Sequence, residues 1–204
     1  MMNTILFNIE NNICTLTINR PEQHNALNIK VLNDLNDKLI FAKDNDDIKV
    51  IIITGFGSKS FIAGADIHEM NIMCSDEAKS FSELGQKITN KIENFNKPVI
   101  AAINGYALGG GFEFALACHI RYASDNAILG FPESSLGLLP GFGGTQRLPR
   151  LIGKGRAFEL LFMANNINAA KAYDLGIINR VFPQNNFLIE IKAIVKLILL
   201  KIFL

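Results

Sequence analysis

The chain has 204 residues, 49% of them hydrophobic, and a formal net charge of +1. That length suits one domain with a real core, and so small a charge gives no reason to expect nucleic acid or an anionic surface as partner. Cys14, Cys74 and Cys118 are odd in number and widely spaced, with no CxxC pair; this pattern predicts reduced, buried thiols in a cytoplasmic protein and no cysteine-bound metal.

The first residues, MMNTILFNIENNICTL, lack a basic leader and a small-residue cleavage site, so no secretion signal is expected. Thr4–Ile9 and Ile13–Asn19 read as two strands around Asn11-Asn12, a hairpin pattern. From Asn28, the spacing of Val31, Leu32, Leu35, Leu39 and Ala42 predicts a helix. VIIIT (50–54), ended by Gly55, predicts a buried strand. A second helix follows through Ala78, Phe81, Leu84, Ile88, Ile92 and Phe95, with Ser75 as its expected N-cap. PVIAAI (98–103) reads as another buried strand, leading through a glycine turn into a helix that carries Glu113. Ile120–Ala123 and Ala127–Gly130 read as short strands, the chain to Ala172 as helical after a Pro/Gly-rich loop, and Ile177–Phe182 as a last strand. This alternation predicts an α/β domain with a largely parallel sheet. The final stretch, FLIEIKAIVKLILLKIFL (187–204), is broken only by Glu190, Lys192, Lys196 and Lys201. Those charges argue against a bilayer span, and a helix so apolar is expected to pack on several sides.

Loops at the carboxyl ends of buried strands are where open α/β sheets bind ligands. After VIIIT comes GFGSKSFIAGADIHEM, and after PVIAAI comes NGYALGGGFEFA. Each places small residues, Ala63-Gly64-Ala65 and Gly109-Gly110-Gly111, just before a helix start, where unpaired N–H groups point outward. Two such donors meeting at one oxygen would form an oxyanion hole. The plain alternative is close strand–helix packing. GxGxxG fails, because Phe114 stands where the third glycine belongs, and no GxxxxGK[ST] occurs.

Glu113 lies in the apolar run Phe112–Ala117. It reads either as a helix-dipole acid or as a desolvated carboxyl. Glu133 lies among Phe131, Pro132, Leu136, Leu138 and Leu139, and reads either as an exposed loop acid or as a carboxyl raised toward general-acid use. Two such acids can divide roles and handle one water between them. His24, His68 and His119 have no spacing that suggests a metal site, and are read as structural or incidental.

NRPEQHNALN (19–28), FIAGADIHEM (61–70), KPVIAAINGYALGGGFEFALACHIRYAS (97–124) and GFPESSLGLLPGFGGTQRLPRLIGK (130–154) together resemble the crotonase, or enoyl-CoA hydratase/isomerase, superfamily, from about residue 4 to about residue 185. The resemblance implies a crotonase-like α/β fold, a spiral of ββα units, over residues 1–185, with residues 186–204 a divergent apolar helix. It implies a coenzyme A thioester as substrate, no separate cofactor and no metal. By position, the backbone N–H groups of Ala65 and Gly110 match the oxyanion hole. Ala63, Ala65, Asp66 and Ile67 match the strip along coenzyme A, and Gly141 matches the catalytic end beside the water. Glu113 matches the carboxylate that activates water, and Glu133 the one that delivers a proton to the α-carbon. The implied reaction is addition of water to a trans-2-enoyl-CoA, with short chains such as crotonyl-CoA favoured by the Phe-rich surroundings; an isomerase of the same fold and a shortened acyl-CoA-binding remnant are the alternatives. His68, where many members have Lys near the CoA phosphates, and Phe112, where a smaller residue is common, depart from the family. The former implies modestly weaker CoA binding and the latter a reshaped pocket. Members assemble as trimers or dimers of trimers through a C-terminal helical segment; its expected absence here implies truncation or a shifted reading frame, and puts assembly in question.

Overall fold

The computed structural model describes residues 3–202. Strands β1 (Ile5–Glu10) and β2 (Ile13–Ile18) form the expected hairpin. Its turn residues Asn11 and Asn12 have φ of 51° and 63°, the left-handed conformation that asparagine tolerates best among residues with a side chain. The main sheet continues with β3 (Val50–Gly55), β5 (Val99–Ile103), β7 (Ile120–Ser124) and β10 (Arg180–Phe182), in the order β1-β2-β3-β5-β7-β10. Every pairing after the hairpin is parallel. A second sheet runs β4 (Ser60–Ile62), β6 (Tyr106–Leu108), β8 (Ile128–Gly130), β9 (Ile167–Asn168), with only β9 antiparallel. Each of β3, β5 and β7 is followed by a short strand of the second sheet, and in the first two cases by a helix, which generates the spiral of ββα units.

The central strands are apolar throughout because both their faces are covered. Ile51, Ile53, Val99, Ala101 and Ile103 face the main core under α1 (Ile29–Asp44), α3 (Ser75–Glu93) and α4 (Gly110–Ala117). The alternate residues Val50, Ile52, Ile100 and Ala102 face a second cluster with Phe187, Ile191, Val195 and Leu199. Those four lie on α8 (Phe187–Ile202) at a spacing of four, so α8 folds back and covers the outer face of the sheet. Its expected packing on several sides is not observed: Ile189, Leu197 and Leu200 are exposed, and Lys192 pairs with Glu10 at 3.1 Å. Among the described residues no helix is long and apolar enough to cross a membrane; Phe203 and Leu204 of the predicted helix lie outside them, as do Met1 and Met2.

Helix α1 is capped by Asn28, whose side chain accepts from Val31 N–H at 2.9 Å, and it buries the five residues that its spacing predicts. The N-cap of α3 is Cys74 rather than Ser75, because the Glu77 carboxylate accepts Cys74 N–H at 2.8 Å and starts the helix one residue earlier. Cys74 is exposed, contrary to the expectation of three buried thiols. Cys14 and Cys118 are buried, and burial pushes each thiol up to about 12. The segment expected to be helical up to Ala172 contains α5 (Gly144–Ile152), α6 (Lys154–Met163) and α7 (Ala169–Asp174), with the edge strand β9 between α6 and α7.

Candidate active site

Each of the three consecutive glycines has its own physical cause. Gly109, the N-cap of α4, has φ +49°, and a Cβ there would lie 2.5 Å from Glu133 Oε1. A Cβ on Gly111 would lie 2.0 Å from the Ile62 carbonyl oxygen of β4, so at this position the close-packing explanation holds. A Cβ on Gly110 would lie 2.9 Å from the Phe142 ring. Gly110 is also the first residue of α4, whose opening N–H groups have no intrahelical acceptor.

The other small-residue loop comes alongside. Leu27 N–H donates to Gly64 O, and Asp66 N–H donates to Leu27 O, both near 2.9 Å: 2.9 Å and 2.8 Å respectively. In that parallel bridge the N–H of Ala65 points away from Leu27. Gly64, at φ +96°, lies against Leu108, its absent Cβ 3.4 Å from the Leu108 carbonyl oxygen. Ala63 N–H donates to His24 O at 3.2 Å. Neither Ala65 N–H nor Gly110 N–H donates to an acceptor among the described residues.

Asp66 is tied down by its side chain. It accepts from Arg20 at 2.9 Å and from His68 N–H at 3.1 Å, capping the short helix α2 (Ile67–Met70). Burial alone would raise its carboxyl, but the hydrogen bond and charge of Arg20, with the capped amides, outweigh burial and hold it below the ordinary value. Ile67 and His68 are exposed on the rim. His119 is structural: its Nδ1 accepts Val99 N–H at 2.9 Å.

Glu113 is 1% exposed. Its Oε1 accepts Phe142 N–H at 2.8 Å and Gly144 N–H at 2.7 Å. It therefore serves the loop between β8 and α5 rather than the dipole of its own helix. Burial pushes its carboxyl up to about 7, the negative charge of Glu133 adds to the rise, and the two amides and Arg147 oppose it. Glu133 lies in a short 3-10 turn, Pro132–Leu136. Burial pushes it also to about 7, and its Oε2 is buried without a hydrogen-bond partner among the described residues. The sequence neighbours expected to surround it do not all do so: Leu136, Leu138 and Leu139 are exposed, Leu139 by 78%. The 3-10 turn ends at Gly137 in the left-handed conformation, and although Leu138 N–H donates to Glu133 O at 3.0 Å, the side chains of Leu138 and Leu139 lie at the surface. Phe112 is fully buried, its ring 4.7 Å from that of Phe131.

Gly141 comes in on the same loop, its carbonyl accepting from Ser82 and Gln86 at 2.8 Å each. Sequence reasoning missed the amides of Phe142 and Gly144 as the donors that hold Glu113. The signal was available in PGFGG, a second glycine turn directly before a helix. It also missed the pairing of Arg20 with Asp66. Among the described residues no group of three His, Cys, Asp or Glu side chains is placed to hold a metal ion.

Comparison with known proteins places this chain in a family. The model of the family described as enoyl-CoA hydratase/isomerase matches residues 8–202, and so includes α8. Crotonyl-CoA hydratase of Syntrophomonas wolfei is 48% identical over 97% of this chain and 76% of its own length. Short-chain-enoyl-CoA hydratase of Clostridium acetobutylicum is 45% identical over 95% of this chain and 74% of its own. The crystal structure of enoyl-CoA hydratase from Bacillus anthracis superposes with a TM-score of 0.90 at 39% identity, covering 94% of this chain and 74% of that one. Likeness of this extent in sequence and in fold has one meaning: the chain belongs to the enoyl-CoA hydratase/isomerase family.

Proposed function

We propose that this chain is an enoyl-CoA hydratase, adding water reversibly and syn across the double bond of a trans-2-enoyl-CoA to give the 3-hydroxyacyl-CoA. The observation that carries this reading is the pair of buried carboxyls, Glu113 and Glu133, each pushed to about 7 and close enough for the charge of one to act on the other. Two acids near neutrality, one ionised and one protonated, suit a reaction that both removes and delivers a proton. Glu113, ionised and oriented by two amides, takes a proton from water as its oxygen bonds to the β-carbon. Glu133, protonated, gives its proton to the α-carbon.

The electron pair displaced from the double bond moves onto the thioester oxygen, which the amides of Ala65 and Gly110 receive. Support for that role is their lack of an acceptor among the described residues and the approach of their loops at Gly64 and Leu108. Such donors act most strongly where charge develops in the transition state. Ala63, Asp66, Ile67 and His68 would follow the coenzyme A portion along the rim, and Gly141 would lie beside the water. Coenzyme A belongs to the substrate, and no further cofactor enters the reaction as written. The short acyl chain rests on the names of the two relatives and on the phenylalanines behind the site, Phe112, Phe131 and Phe142. Cytoplasmic location and assembly into trimers or dimers of trimers rest on the family resemblance.

The test is hydration of crotonyl-CoA, followed by loss of the absorbance of the conjugated thioester. Glu133→Gln is expected to lower kcat by about 10²–10⁴. Undiminished turnover in that variant removes the proposed acid from the mechanism. Double-bond migration without a hydroxylated product points to isomerase chemistry instead.

A further inference from the structure

The loop that holds Glu113 is itself held, from the side away from the glutamate, by one face of α3. Ser82, Gln86, Thr89 and Glu93 follow one another at intervals of four, three and four along that helix, which places them in a single stripe. Ser82 Oγ and Gln86 Nε2 each donate to Gly141 O at 2.8 Å. Thr89, fully buried, donates to Phe142 O at 2.8 Å. Arg147, on α5, donates to the same oxygen at 2.9 Å and to Thr89 Oγ1 at 3.3 Å. Its guanidinium is fixed in turn by Glu93 Oε2, at 3.0 Å and 2.8 Å, and by Asn90 at 2.7 Å. Gly143 completes the fit: its φ is +104°, and a Cβ there would lie 2.2 Å from the Arg147 guanidinium.

We propose that Thr89 and Arg147, with Ser82 and Gln86 as outer ties, are positioning residues for Glu113. They clamp the carbonyls of Gly141 and Phe142, and so keep the N–H groups of Phe142 and Gly144 aimed at the Glu113 carboxylate. None of the four touches the reacting atoms; they act through the loop. The assignment of a proton-accepting role to Glu113 rests on the hydratase reading, whereas the clamp on its carboxylate does not. The charged groups acting on Glu113 are Glu133, from the turn after β8, and Arg147, from α5 with its partner Glu93 on α3. The amides stabilise the ionised form, so loosening them raises the carboxyl further.

Two measurements on the full chain separate this claim from a structural role. Thr89→Val deletes the hydroxyl at nearly constant volume, and Thr89→Ser restores it. Carboxyl carbon NMR on 13C-glutamate-labelled protein, with Glu113 identified by Glu113→Gln, reads the Glu113 titration midpoint directly. In Thr89→Val the midpoint and the acid limb of kcat are expected to move together to higher pH. kcat should fall about tenfold to a hundredfold, the scale of a small misplacement of a reacting group, with KM held within about twofold if the substrate contacts are intact. Thr89→Ser is expected to recover both. Should Thr89→Val fail to fold, Gln86→Ala, at an exposed tie, is measured in the same way and is expected to shift the midpoint in the same direction by less. An unmoved midpoint in the folded variants overturns the proposal, as does a loss in Thr89→Ser equal to that in Thr89→Val. If the parent protein hydrates no enoyl-CoA, the functional reading fails while the NMR midpoint still decides the clamp.

Discussion

Replacing Glu113 by glutamine should make the protein more stable, by an amount that grows as pH rises from about 4.5 to about 7 and then levels off. The carboxyl ordinarily titrates near 4.5 and in the fold at about 7, chiefly because burial penalises its anion. At low pH it is protonated in both folded and unfolded chains and contributes no pH dependence. As pH rises, the unfolded chain loses the proton first, so stability falls until the folded carboxyl also ionises, and then levels off. The full difference is about 3 kcal/mol. Glutamine keeps an oxygen for the amides of Phe142 and Gly144 and cannot ionise. Equilibrium urea denaturation, followed by circular dichroism, is expected to show Glu113→Gln more stable than the parent by about 2–3 kcal/mol near pH 8.5, and by less than about 1 kcal/mol near pH 5. The same variant should lose hydration by about 10²–10⁴, a trade of function for stability. A stability difference that does not change with pH, or a less stable variant at pH 8.5, would refute the argument that desolvation dominates at this site.

Two further substitutions test the geometry elsewhere. Gly109→Ala puts a Cβ at a positive φ and 2.5 Å from Glu133 Oε1, so crotonyl-CoA turnover should drop by about a hundredfold or more as the acid is displaced; near-normal kcat would mean that Glu133 works from elsewhere. On α8, Ile191 is fully buried against the sheet whereas Ile189 is 70% exposed. Ile191→Ala should therefore cost about 2–5 kcal/mol and Ile189→Ala about 0.5 kcal/mol or less by thermal denaturation, and equal effects would remove α8 from the outer face of the sheet.

Much of the fold is legible wherever a periodic signal is long enough. Val31, Leu32, Leu35, Leu39 and Ala42 mark the buried face of α1, and Asn28 its cap. The unbroken apolar runs of β3 and β5 report strands covered on both faces. The strands β4, β6 and β9 have three residues or two, too few to show a period of two, and they exist because neighbouring backbones pair with them. The fate of residues 187–202 was hidden for a related reason. With apolar residues all around the helix, the sequence does not say which face meets the sheet.

The local chemistry of the candidate site follows the same division. The glycine turns, the small-residue loop and the two glutamates are visible as residue types out of place in their surroundings, and those features, with the family motifs, are what single them out as candidates in the sequence. Only the tertiary structure decided that Glu113 reaches across to the amides of Phe142 and Gly144, that Glu133 rests over Gly109, and that Leu136, Leu138 and Leu139 turn to solvent. Proton affinity, clamping and exposure depend on which groups meet from distant parts of the chain, and adjacency along the sequence carries no information about those meetings.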